Sequence, residues 1–148
     1  MKYDYFLAGR WRNHAAIREV MRKIRETGKT VYCFVENSYE GDALRIDAVN
    51  GDPEEYMSAT EKLATWQTDP TFREIFEKDM RGLRDSESLV FVFPAGWSAH
   101  MELGAAYGMG KTCYGIGTPE KAETLYLMFD EIFPDAESFL EAKVGVAV

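Results

Sequence analysis

The chain is poor in the residues that would tie it to metals, membranes or polyanions. It has two cysteines, Cys33 and Cys113, in 148 residues. Both fall inside apolar runs, so they read as core thiols rather than as a disulfide framework or a metal pair. Two histidines, His14 and His100, far apart in sequence, are too few for a zinc site, and no metal is expected. No apolar run reaches the length of a membrane span, and Met1-Lys2-Tyr3-Asp4 opens without an apolar signal region. No membrane partner is expected, and a cytoplasmic, reducing location is the default. Basic residues are outnumbered, 17 Lys and Arg against 25 Asp and Glu, and the resulting net charge of −8 argues against polymeric nucleic acid as a partner. A small anionic ligand stays open to it through a few local arginines. No repeat, low-complexity tract or linker interrupts the chain. Aromatics at 14% argue against disorder, and this length suits one domain, 1–148, with a real core.

What is present is an alternation of short apolar runs and amphipathic segments. Residues 3–8 read as a first strand. The loop Gly9-Arg10-Trp11-Arg12-Asn13 follows, with Asn13 as a helix N-cap. Ile17, Val20, Met21 and Ile24 recur at helical spacing, and Gly28 stops that helix. Residues 31–35 form an unalternating run that suits a strand buried on both faces. A long polar segment, 36–52, comes next, and loops of this length in small domains are often functional. Pro53 opens a helix to about residue 66, and Asp69-Pro70 starts another to about residue 84. Strands are expected at 89–93 and 111–116, with a helix between them. Thr118-Pro119 begins a helix striped by Leu125, Met128, Phe129 and Ile132, and a last short helix fades into residues 144–148. The pattern predicts an α/β fold: a single small doubly wound domain of flavodoxin or Rossmann type. Its sheet is mostly parallel, of four to five strands with helices on both faces. The fifth strand is expected in the middle segment or in the C-terminal tail.

The most informative stretch is Pro94-Ala95-Gly96-Trp97-Ser98-Ala99-His100-Met101-Glu102-Leu103-Gly104, directly after Leu89-Val90-Phe91-Val92-Phe93. It places an acidic side chain beyond the carboxyl end of a strand, where α/β sheets hold ligands. Glu102 suits a nucleophile, a base or a sugar ligand; alternatively it only complements the positive end of the helix. Ser98 is read as the helix N-cap, its amides free for an anion or sugar hydroxyls, with Glu102 in the first turn where the dipole favours the ionised form. Asp79 lies on or beside the apolar stripe Phe72, Ile75, Phe76, Met80, Leu83, where a carboxylate needs a partner or a ligand. Tyr5, just before the glycine loop, is either core or a hydroxyl donor to a carboxylate. Arg10 and Arg12 flank Trp11 and either meet a phosphate or stay solvated. Trp97 either stacks on a base or plugs the edge of the core.

In order and spacing these segments resemble the nucleoside 2-deoxyribosyltransferase superfamily, including the deoxynucleoside 5′-monophosphate N-glycosidases. The resemblance spans roughly residues 3–117. It rests on Tyr5-Phe6-Leu7-Ala8-Gly9, on Glu36-Asn37-Ser38-Tyr39, on Asp79 in Glu77-Lys78-Asp79-Met80-Arg81-Gly82-Leu83, and on Met101-Glu102-Leu103-Gly104-Ala105-Ala106 with Gly110-Lys111. It implies cleavage or transfer at the N-glycosidic bond of a 2′-deoxynucleoside or its 5′-monophosphate through a covalent glycosyl intermediate on Glu102. Asp79 would hold the sugar or feed a proton to the base, and Tyr5 would orient Glu102. Gly9, Arg10, Trp11, Gly96, Trp97 and Ser98 would line the substrate site. No cofactor is implied, the partner is a small nucleoside or nucleotide, and a homo-oligomer is expected. Where transferases of the family carry an aspartate six residues before the nucleophile, this chain has Gly96. A second resemblance is to the P-G-G-x-G-T-x-x-E motif of the cytokinin-activating nucleotide phosphoribohydrolases, which Pro94, Gly96 and Glu102 fit. A nucleotide-binding module without catalysis is the third expectation.

Overall fold

The computed structural model describes residues 1–48 and 50–145. Val49 and the tail 146–148, included in the sequence-based reading, lie outside the described residues. Five strands make one sheet: β1 (Tyr3–Ala8), β2 (Val31–Cys33), β3 (Ser86–Val92), β4 (Thr112–Ile116) and β5 (Glu131–Phe133). All neighbours run parallel, in the order β2-β1-β3-β4-β5. This is the flavodoxin-like doubly wound order, with its switch point between β1 and β3. β1 and β3 lie at the centre and are apolar on both faces, as strands covered by helices on each side must be.

Alternation along β1 and β3 feeds two cores. Tyr5, Leu7, Val90 and Val92 point to one face, where α1 (His14–Glu26) lays down Ile17, Val20, Met21 and Ile24 and α5 (Ala136–Phe139) adds Phe139. Phe6, Ala8, Leu89 and Phe91 point to the other, under Leu83 of α3 (Pro70–Arg84) and Ala99, Leu103 and Ala106 of α4 (Trp97–Gly108). The doubly wound, all-parallel five-stranded sheet with helices on both faces is therefore present as the sequence predicts.

Local signals set several boundaries. Asp69 accepts from the Phe72 amide at 2.9 Å, and the helix it caps runs from Pro70 to Arg84. Asp52 caps α2 (Pro53–Glu61) in the same way, through the Glu54 amide. That helix stops at Glu61, short of residue 66, and none of its residues is buried. Arg12 ties it down instead, pairing with Glu54 and with Glu61.

Elsewhere the structure corrects the sequence-based reading. The helix expected after Thr118 is not formed: Thr124–Met128 is a short 3-10 turn, and Ile132 belongs to β5. The fifth strand is thus neither in the middle segment nor in the tail. Glu131–Phe133 finds a parallel partner in β4 that a stripe of four apolar residues does not reveal. Asn13 stands before α1 without a side-chain cap, closing a 3-10 turn at Trp11–Asn13. The polar segment after β2 is held by an antiparallel bridge, Tyr39 to Ile46, and by Arg18, which donates to the carbonyls of Val35 and Ala48.

Candidate active site

The carboxyl ends of β1 and β3 flank the switch point, and the side chains with chemistry gather behind them. Gly9 follows β1 at a point where a Cβ would lie 2.5 Å from the Ile17 Cδ1, so a larger residue there would push the Ile17 side chain of α1 aside. After β3 the chain turns through Gly96, which caps α4 without a side-chain bond. The Gly96 carbonyl accepts from the His100 amide at 3.3 Å and from His100 Nδ1 at 2.7 Å. Since a carbonyl only accepts, Nδ1 carries the proton, and in the neutral ring Nε2 accepts from the Tyr126 hydroxyl at 2.9 Å. His100 therefore clamps the first turn of α4 to the segment before β5.

Ser98 is not the cap. It is the second residue of α4 and is exposed. This puts Glu102 in the second turn, where the dipole has weakened. Burial wins there. Glu102 is 9% exposed and, among the described residues, accepts no hydrogen bond. Its pKa is raised well above the ordinary value, first by burial and then by the charge of Asp79. The expectation of an ionised form favoured by the helix end is thereby reversed in the free protein.

Asp79 shares the inward line of α3 with Ile75, Gly82 and Leu83, at offsets of four, three and four residues. It is a polar break in that line, as its sequence position suggests, although Phe76 of the expected stripe points to solvent. Its partner is Tyr32 of β2, whose hydroxyl donates to Asp79 Oδ1 at 2.7 Å. Asn37 donates in turn to the Tyr32 hydroxyl at 2.9 Å. Burial raises the Asp79 carboxyl to about 6, against the opposing Tyr32 bond and the Lys78 charge. Tyr39 and Tyr56 both lie within electrostatic reach of Asp79.

The remaining candidates separate. Tyr5 does not meet Glu102: its ring packs edge-on against Phe139 on the α1 face, opposite to α4. The period of two along β1 decides this, since Phe6 takes the other face. Trp11 is buried edge-on against Phe34 and Tyr56, a core residue that also lines a cavity. Trp97 is 84% exposed and neither plugs the core nor touches a ring. Arg10 is exposed and makes no ion pair among the described residues. Arg12 is engaged with α2.

Tyr32, Asn37 and Tyr39 are the residues that sequence reasoning missed. Tyr32 sits in Val31-Tyr32-Cys33 and reads as one more core aromatic. Asn37 and Tyr39 fall in a segment that the resemblance picked out, but nothing local shows that they close on Asp79, far along the chain.

A cavity of about 370 Å³ opens between α1, α2 and residues 43–48 and 51–53, lined by Trp11, His14, Arg18 and Tyr56. Glu102 and Asp79 are not part of its lining; Tyr56 is the side chain common to the cavity and the surroundings of Asp79. Among the described residues no group of His, Cys, Asp or Glu gathers as metal ligands, and no helix is long and apolar enough to cross a membrane.

Two of the solved structures that share this fold are informative. One is a 2-deoxyribosyltransferase from the psychrotolerant bacterium Bacillus psychrosaccharolyticus, at TM-score 0.61 and 16% identity, over 96% of this chain and 93% of that one. The other is a conserved protein from Enterococcus faecalis V583, at TM-score 0.57 and 14% identity, over 95% and 96%. No protein-family model matches the chain, and no curated protein matches its sequence. At these identities the likeness is one of fold.

Proposed function

We propose that this protein breaks the N-glycosidic bond of a 2′-deoxynucleoside or its 5′-monophosphate, passing the sugar to a second base or to water. The observation that carries this reading is the pairing of a buried carboxyl, Glu102, with a half-buried one, Asp79, within electrostatic reach of each other. They belong to a fold shared with a 2-deoxyribosyltransferase. Two such groups titrate as a unit, and the form with one proton holds both an acid and a nucleophile. In the free protein the single proton rests on Glu102, beside an ionised Asp79. When substrate binds it passes to Asp79, and the Glu102 carboxylate attacks the anomeric carbon as the bond to the base nitrogen breaks. The electron pair leaves with the base, and the proton on Asp79 follows it. Water or an acceptor base then attacks the same carbon, releases the Glu102 carboxylate and gives up a proton. The positive charge that grows on the sugar ring offsets the cost of an ionised Glu102 in a dry site.

The direct test is chromatographic. Each deoxynucleoside and its 5′-monophosphate is incubated with the protein, with and without a free base. A new nucleoside marks transfer, free base alone marks hydrolysis, and no change in any mixture overturns the reading. The absence of an acidic side chain at Gly96 favours a second reading, a nucleotide-binding module without turnover. Calorimetric binding in the absence of product would single it out.

The pH dependence follows from the pair. Below about 6, where Asp79 first ionises, both carboxyls are protonated and no nucleophile exists. Above the raised Glu102 value both are charged and no acid exists. A bell-shaped kcat/KM is expected, with its acid limb near 6 rather than near the ordinary carboxylate value. An acid limb near 4 contradicts the pairing.

Arg10 decides between nucleoside and monophosphate. If the 5′-phosphate is bound, Arg10→Ala raises KM for monophosphates about tenfold and leaves nucleosides unchanged. Equal effects on both substrates remove Arg10 from the site.

A further inference from the structure

We propose that Tyr32 is the positioning residue for Asp79. Its hydroxyl, fixed by Asn37, holds the carboxyl in one orientation, with Oδ1 occupied and Oδ2 left for the substrate. The inference rests on the reading above only for what Asp79 then does.

The direction of the relay is set by chemistry. The Asn37 side-chain nitrogen is a donor, so the Tyr32 oxygen must accept from it, at 2.9 Å. The single phenolic proton then goes to Asp79 Oδ1, at 2.7 Å. Tyr32 and Asn37 are each buried, at 8% exposure.

The ring is held as firmly as the hydroxyl. It stacks on Phe6 with centroids 5.3 Å apart and meets the edge of Tyr3 at 5.6 Å. Gly82, one turn beyond Asp79 on α3, lies directly over it: a Cβ there would stand 2.8 Å from three ring atoms. α3 therefore seats on the Tyr32 ring through a glycine and, one turn earlier, bonds the same residue through its aspartate.

Several charged or titratable groups act on Asp79. Tyr32 of β2, Glu102 of α4, Tyr39 of the bridge, Tyr56 of α2 and Lys78 of its own helix all do so. Tyr32 is the one that bonds its carboxyl, and a bond to the charged form favours ionisation. Without it Asp79 keeps its proton to higher pH.

The test is Tyr32→Phe, which removes one oxygen and keeps the ring on Phe6 and under Gly82. In the intact protein the Asp79 carboxyl is titrated by ¹³C NMR, a readout independent of turnover. The midpoint is expected to rise by about one unit. The acid limb of kcat/KM should move up with it, and kcat should fall about tenfold with KM little changed. An unmoved midpoint in a folded variant overturns the inference. If Tyr32→Phe does not fold, Asn37→Ala leaves the hydroxyl in place without its donor and should shift the midpoint in the same direction by less. No shift there overturns it too. A shifted midpoint in a protein that turns over no deoxynucleoside sustains the part assigned to Tyr32 and sinks the proposed reaction.

Discussion

Glu102→Gln is expected to abolish turnover and to make the protein more stable at neutral pH. The activity loss follows from the role proposed for the carboxylate: an amide cannot form the glycosyl ester, so kcat should fall by at least about 10³-fold. The stability gain follows from burial. The folded protein holds the Glu102 proton more tightly than the unfolded chain, because a charge there is desolvated and faces Asp79. The stability tied to that proton is complete below the ordinary value of 4.5 and is lost as pH rises through the raised folded value. Glutamine has nearly the same shape and no charge to desolvate. The gain at neutral pH should be about 1–3 kcal/mol, and Tm should rise by several degrees at roughly 2–4 °C per kcal/mol for a chain of this size. At acid pH, where Glu102 is neutral, the two proteins should melt together. Thermal melts of both at acid and neutral pH check this. A variant less stable than the parent at neutral pH means that Glu102 has a folded-state partner.

Gly82→Ala is expected to destabilise the fold even though alanine is the better helix former. In an open helix the change would gain about 0.5–1 kcal/mol. Here the added methyl would stand 2.8 Å from Tyr32 ring atoms. The ring cannot yield, since it is stacked on Phe6 and bonded through its hydroxyl to Asp79 and Asn37. Overpacking of this kind costs about 1–3 kcal/mol, which exceeds the propensity gain. α3 must lift, and the Tyr32–Asp79 bond lengthens with it. A lower Tm together with a raised Asp79 midpoint is the expected pair of results. An unchanged or higher Tm shows that α3 does not bear on the ring. Combining the change with Tyr32→Ala should remove most of its cost, because the obstructing ring is then gone.

Much of this architecture is written locally. Asp69-Pro70 fixes the start of α3, because a capping carboxylate and a preset φ act within three residues. The apolar runs at β1 and β3 announce strands buried on both faces, and the alternation of strands with helices gives the doubly wound, parallel sheet. Glu102 and Asp79 are also legible, each as an acid where the local pattern calls for an apolar or neutral residue. What the sequence could not decide is which faces and ends meet. Residues 118–132 carry a helical stripe, yet two of them, Glu131 and Ile132, pair with β4 together with Phe133, because an open sheet edge outweighs a weak local preference. Tyr5 stands beside the glycine loop in sequence, but the two-residue period of its strand turns it to the face away from Glu102. Tyr32 reads as core until α3 crosses it and brings Asp79 to its hydroxyl. The chain by itself therefore determined the elements, their order and the two acids, all of which rest on neighbours a few residues apart. Only the tertiary structure decided the partner of Asp79 and the raised values of both carboxyls, because desolvation and long-range hydrogen bonds exist only once the helices are packed.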